Sequence, residues 1–313
     1  METNTRTIDY GRRVVPWNGL GTDISGCSTV EDALFTAGLN WKVRQTPVQT
    51  AEIFPVPLEG FRANVRDYDD APLGIVTDRY KVVQNDEAFS FVDSLVDEGV
   101  QFQQAGIFGN GRRVWILAKL PDRYIISGEA VSPFVVFITS HDGSGSVKVA
   151  MTPVRVICCN MLNLALRNAS RTWSAQHTGD ITKKLEDARD TLFHAEAYMN
   201  ELGKEIEVLN HTRISDATVF SMVDELMPVS DDMSDAQKKN VGLQRDDLYE
   251  RYFHAPDLEL LPRNAFRFIQ AVSDHATHAD PIKQRANFRE NLFAKSVDGN
   301  PLIDRAYSLL KAA

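Results

Sequence analysis

Residues 100–120 read VQFQQAGIF-GNG-RRVWILAKL, and this stretch decides the fold class. Two strand-like runs, 100–108 and 112–120, flank Gly109-Asn110-Gly111. Glycine and asparagine supply the positive φ angles that a tight turn requires, so the segment reads as a β-hairpin. The same signature recurs downstream. SPFVVFITS (132–140) and SVKVAMTPVRVI (146–157) flank Asp142-Gly143-Ser144-Gly145, a second hairpin. Upstream, LGIVTDRYKVV (73–83) is strand-like. Asn85 then caps a helix with Phe89, Val92, Leu95 and Val96 on its apolar face, stopped by Gly99. Strand, helix and two hairpins combine most simply as one antiparallel sheet. Further out, Ser28 and Glu31 form a capping box for a helix ending at Gly38. WKVRQTPVQTAEI (41–53) reads as extended, and Pro55, Pro57 and Pro72 break the connections that follow. Residues 1–27 form a glycine-rich lead-in containing WNGLGTD.

Beyond Cys159 the pattern turns helical. Asn160 is placed to cap a short helix over MLNLALRNA, and the polar stretch SRTWSAQHTG (170–179) reads as a loop. Asp180 then opens the sharpest periodic signal in the chain. Ile181, Leu185, Ala188, Leu192, Ala195, Met199, Leu202, Ile206 and Leu209 alternate spacings of four and three, an a/d seam over 181–209. Two readings fit the seam: packing inside the chain, or a homo-oligomer formed through it. Helices are expected near 215–227, 235–253, 263–278 and 302–312, separated by prolines and the turn Asp298-Gly299-Asn300-Pro301. The expected fold class is α+β. A mainly antiparallel, β-rich unit with its lead-in spans 1–159, and a helical region with one long heptad-patterned helix spans 160–313.

Bulk properties exclude several classes. At 313 residues the chain needs no disulfide or metal to build a core. Its three cysteines, two of them adjacent, make a poor disulfide framework and fit a reducing compartment. There is no run of eighteen apolar residues, so no membrane partner is expected, and the polar N-terminus lacks a signal-peptide core. The expected location is the cytoplasm. The net charge of −9 is uneven: Lys+Arg number 19 against 20 Asp+Glu in residues 1–185, and 15 against 23 in residues 186–313.

Catalytic signatures are missing. GxSxG and GxxxxGK[ST] are both absent, and Gly106–Gly111 precedes a strand, where a dinucleotide fold needs a helix. Cys158-Cys159 points its side chains to opposite sides of a strand, a poor metal chelate. His275 and His278 are spaced for one helix face near Asp274 and Asp280, but with no third ligand downstream they read as solvated surface. Neither a metal, a cofactor nor a catalytic residue is expected.

One stretch combines cations, amides and an aromatic. Lys148, Arg155, Arg167, Arg171, Lys183 and Lys184 are opposed over 146–184 only by Asp180, and Asn160, Trp173 and His177 are interspersed. Arginines and amides suit phosphate contact, while Trp173 offers a stacking face to an unpaired base. The competing reading buries Trp173 in the core and lays the arginine stems over the sheet. A third reading makes Arg155, Asn160 and His177 the polar cluster of an enzyme.

PWNGLGT (16–22), STVEDALFTAGLNWKV (28–43), YKVVQNDEAF (80–89), RVICCNMLNLAL (155–166), WSAQHTGDITKKLEDAR (173–189) and NAFRFIQAVSDHATH (264–278) together resemble the phage/plasmid-like proteins of the domain of unknown function 932 family. Asn18 stands where the lead-in of that family has a histidine after the tryptophan. The resemblance implies a mobile-element setting and no defined activity. The element order is similar, as a fold-level analogy, to the single-strand annealing proteins of phage recombination. The leading expectation is therefore non-catalytic binding of single-stranded DNA. A host or phage protein partner, met by the acidic helical half, is the second.

Overall fold

The computed structural model describes residues 8–175, 177, 191–283 and 285–312. Two antiparallel sheets form in the N-terminal half. The larger has the strand order β1 (Thr22–Asp23), β5 (Gln101–Phe108), β6 (Arg113–Lys119), β8 (Glu129–Ser140), β9 (Val147–Arg155), β10 (Thr172–Ala175), with β7 (Tyr124–Ile126) paired to β8. The smaller has the order β2 (Val43–Gln49), β3 (Pro57–Arg66), β4 (Pro72–Thr77). The single sheet expected from the sequence is thus two, because the proline-broken 43–77 region pairs only with itself.

Both hairpins form as read. Gly109, Asn110 and Gly111 all have positive φ, and β5 and β6 pair on either side of them. β8 and β9 pair around the 142–145 turn, where Gly143 is left-handed. Gly106 has a different job from the hairpin glycines. A Cβ there would lie 2.9 Å from the Trp115 ring, and one at Gly21 would lie 2.6 Å from that ring and 2.4 Å from the Ala105 carbonyl. Gly106 on β5 and Gly21, just before β1, make room for one buried indole.

The middle strands are buried on both faces, which is why VWILA and FVVFI read as unbroken apolar runs. Val114, Ile116 and Ala118 face the main core with helices α1 (Val30–Thr36), α2 (Asn85–Phe89) and α3 (Val92–Asp97). Trp115 and Leu117 face a smaller cluster built from Trp17, Phe108, Phe293 and Val297. The caps shift by one residue from the sequence reading: Thr29 rather than Ser28 caps α1, and Gln84 rather than Asn85 precedes α2. Asn85 turns inward instead and bonds the Leu39 carbonyl.

Five helices of the C-terminal half lie close to expectation or extend it: α4 (Thr191–His211), α5 (Asp216–Leu226), α6 (Asp235–His254), α7 (Ala265–His278) and α9 (Pro301–Ala312). A sixth, α8 (Phe288–Asp298), was not read from the sequence. Its apolar positions are sparse, and Phe293 and Val297 alone fill the gap over β9. Helix α7 is the hub, packed by α4, α6 and α9, with twelve of its residues buried. The described part of the heptad seam, Ala195, Met199, Leu202, Ile206 and Leu209, is buried in the chain's own core. Ile181, Leu185 and Ala188 lie outside the described residues.

The helix expected over MLNLALRNA does not form. Asn160 through Leu164 are buried on all sides, so the segment threads between the sheet and α7 in extended form. Its carbonyls find partners other than a helical ladder: Ser273 donates to Met161 and Tyr198 to Leu164. The SRTWSAQHTG loop also gains structure, since Thr172–Ala175 pair with β9 at the sheet edge.

Candidate functional site: an arginine-rimmed cleft over a buried ion network

The basic stretch singled out in the sequence is dispersed by folding. Arg155 is fully buried, its guanidinium bonded to Glu129 and, at 2.6 Å, to Asp257. Asn160 is buried beneath α7 and donates to the Gln270 carbonyl. His177 stacks on Tyr80 and bonds the Lys81 carbonyl, well separated in role from the other two. The side chains of Arg155, Asn160 and His177 therefore engage three different sets of partners. Arg171 reaches the carbonyls of Met151 and Ser296. Lys148 pairs with Asp298 of α8, and Trp173 lies half-buried on β10 against the core. Arg167 is exposed. Lys183 and Lys184 lie outside the described residues.

A different set of charges comes together where the lead-in, the end of β9, α6 and α7 meet. Arg13 pairs with Asp257 at 2.5 Å and approaches Asp274 at 3.5 Å. Arg251 binds Asp274 at 2.5 Å and Asp247 at 2.7 Å, and His275 Nδ1 lies 2.6 Å from Asp247. With Arg155 and Glu129 this makes one continuous network, linking a strand of the sheet to both helices. His275 and His278 are therefore not solvated, as their sequence suggested. They lie on the hub helix, whose polar positions also face protein.

Burial and pairing set the protonation of the network. Burial disfavours the charged form of Asp257, but Arg13 and Arg155 outweigh it and hold that carboxyl below its ordinary value. Burial is likewise outweighed at Asp247 by bonds from His275 and Arg251. At Asp274 burial prevails over Arg251 and raises the carboxyl. Burial, reinforced by the charges of Arg251 and Arg13, pushes His278 down to about 3, so it is neutral at physiological pH. Burial also pushes the Cys158 thiol up to about 12, which leaves it a poor nucleophile. Among the described residues, no group of three His, Cys, Asp or Glu side chains is placed to hold a metal ion.

Above the network opens a cleft of about 430 Å³. Its walls are the lead-in around Arg12–Pro16, Asp247 and Arg251 of α6, Thr277 and His278 of α7, and the segment from Pro281 to Leu292. Thr277 Oγ1 and His278 Nε2 are buried polar atoms without a hydrogen-bond partner at this wall. The rim carries both signs, Arg12 and Arg289 with Asp9 and Asp280. Arg12 projects into solvent with its side chain 86% exposed, held only by Asp9. Arg289 is exposed on the opposite wall, and Lys283 and Arg285 are exposed in the segment before it; none of the three has an ion-pair partner among the described residues. Phe288 and Pro281 add apolar surface between them. Sequence reasoning missed this rim because its cations come from positions 12 and 283–289, more than 270 residues apart.

A family model described as Domain of unknown function (DUF932) matches residues 72–310, well over half of the chain. The chain belongs to that family. No curated protein and no solved structure matches it. The matched span includes α6, α7 and α8 and so three walls of the cleft, while the lead-in that completes it precedes residue 72. No helix among the described residues is long and apolar enough to cross a membrane.

Proposed function

We propose that this protein is a non-catalytic nucleic-acid-binding protein that engages a single strand of DNA along the arginine rim of the cleft. The observation that carries the reading is the contrast between floor and rim. The floor arginines, Arg13 and Arg251, are neutralised by Asp257, Asp274 and Asp247, whereas Arg289 on the wall and the nearby Lys283 and Arg285 have no ion-pair partner among the described residues. A local cluster of that kind attracts phosphate even in a chain of net charge −9, because the field at a surface follows charges within about 8–10 Å. The cleft volume is of the order that one nucleotide fills, and Phe288 offers a face for a base. The setting that goes with this reading is DNA metabolism of a mobile element in a bacterial cytoplasm.

Anisotropy of a labelled single-stranded oligonucleotide over a salt series tests the reading. Binding should weaken steeply as salt rises. The double variant Arg285→Ala/Arg289→Ala should bind less tightly and flatten the log–log salt slope by about 1.4, at about 0.7 per lost phosphate contact. No binding at low salt, or an unchanged slope in the variant, would overturn it.

A further inference from the structure

The inner wall of the cleft holds two polar groups with nothing to bond. Thr277 and His278 end α7 where it meets the cleft, and each is more than nine-tenths buried: Thr277 is 4% exposed, and the His278 side chain 8%. A threonine in a helix ordinarily turns its hydroxyl back to the carbonyl three or four residues earlier. Thr277 Oγ1 has no hydrogen-bond partner among the described residues, and neither has His278 Nε2. Asp274 Oδ1 is 3.9 Å from that nitrogen, beyond hydrogen-bond reach. The Cys158 backbone bonds the ring in the sense that favours its proton, so its carbonyl accepts from Nδ1. Nε2 of the neutral ring is then a bare acceptor beside a hydroxyl that can donate.

The charges around these two groups already answer one another. Arg13 and Arg251 reach the cleft bonded to Asp257, Asp274 and Asp247. An ion brought to the inner wall would lose its hydration and meet no uncompensated counter-charge. A phosphodiester presents only acceptors, and Nε2 calls for a donor. A purely apolar ligand would leave both polar atoms unpaired. What fits is a neutral group with an edge of donors and acceptors between two apolar faces, which describes a nucleobase. Pro281, Phe288 and Leu292 of the adjoining wall offer apolar surface to those faces. We propose that the inner wall of the cleft is a nucleobase site, the base lying edge-on to Thr277 and His278 and satisfying both. The cleft of about 430 Å³ admits a base with its sugar and leaves a phosphate at the mouth beside Arg12 and Arg289. A paired base has that edge occupied, so the site selects unpaired ones. The same chemistry is offered by a base of a strand and by a free nucleoside; the first source rests on the single-strand reading above.

Anisotropy of a labelled single-stranded oligonucleotide, and of the same strand built from abasic sites, separates the base contact from the phosphates. The full strand should bind the full chain about tenfold more tightly than the abasic one. Thr277→Val and His278→Phe keep the shape of each side chain and delete its bonding atom. Each should lose most of that difference, bind the abasic strand as the wild type does and keep the wild-type salt slope. Thr277→Val removes a hydroxyl that bonds nothing in the free protein, so its urea midpoint should be unchanged or higher. Loss of binding without loss of stability sets the contact apart from a structural role. An abasic strand that binds as tightly as the full one overturns the base site and leaves the strand reading standing, and variants that retain the full difference do the same. Should neither strand bind, calorimetric titration with deoxynucleosides decides. Binding that Thr277→Val abolishes supports the base site and ends the strand reading, and no binding overturns both.

Discussion

Arg155 enters the sequence as a cation in a basic stretch and ends in the structure without solvent contact, bonded to Glu129 and Asp257. Residue type alone does not distinguish the two fates, because a guanidinium suits a phosphate and a carboxylate equally well. The histidines show the same divergence. His141, next to a turn in sequence, is buried against Asn85, with Nε2 2.8 Å from its Oδ1. Burial, with a contribution from His177, pushes His141 down to about 4, and His278 lies near 3. Both folded values lie below the ordinary value of about 6.5 for an unfolded chain. The stabilisation that these neutral rings confer is therefore complete above about pH 6.5 and is lost as pH falls toward 4. Urea unfolding midpoints should fall between pH 7.5 and pH 5, and the fall should be smaller in His141→Gln than in the wild type. An equal fall in both would remove His141 from the account.

At the scale of elements, turns carry most of what was legible. The hairpins at 109–111 and 142–145 were readable because positive φ restricts residue choice locally. The helix expected over 161–169 was not realised, because tertiary partners for its carbonyls competed with the helical ladder. Gly21 illustrates a close approach that sequence does not announce. Its place against Ala105 and the Trp115 ring admits no Cβ without displacing backbone. Gly21→Ala should destabilise the protein by about 1–3 kcal/mol in chemical denaturation. The equivalent change at Gly26, where nothing lies within 4 Å, should be close to neutral. Similar losses at both positions would show that the close approach to the indole and the Ala105 carbonyl does not set the cost.

The whole molecule shares one main core. Its largest buried cluster runs from Ile24 on the N-terminal side to Leu310 in α9, crossing the β-to-helix boundary near Cys159. The ion network crosses it too, through Arg155 with Asp257 and Arg13 with Asp274. A fragment of residues 1–159 leaves Arg155 beside Glu129 without its second carboxylate and exposes the core face of the sheet. It should show no cooperative urea transition, whereas the full chain should. A fragment that unfolds cooperatively would establish residues 1–159 as independently stable.

What the sequence determined by itself was periodicity and local backbone demand: the antiparallel hairpins, the α+β class, the positions of most helices and the apolar seam of α4. These are properties of near neighbours, and a few residues suffice to express them. Only the tertiary structure decided which charges stay in water. Of the described cations in 146–184, Arg155 and Arg171 turn inward and Lys148 pairs with Asp298, while Arg12 and Arg289, far apart in sequence, meet at the rim of a cleft. Likewise, the apolar residues at 53–61 gave no sign of exposure in sequence, and stand exposed because no described residue covers them. Burial and charge compensation depend on neighbours hundreds of positions away, and a linear reading does not contain them.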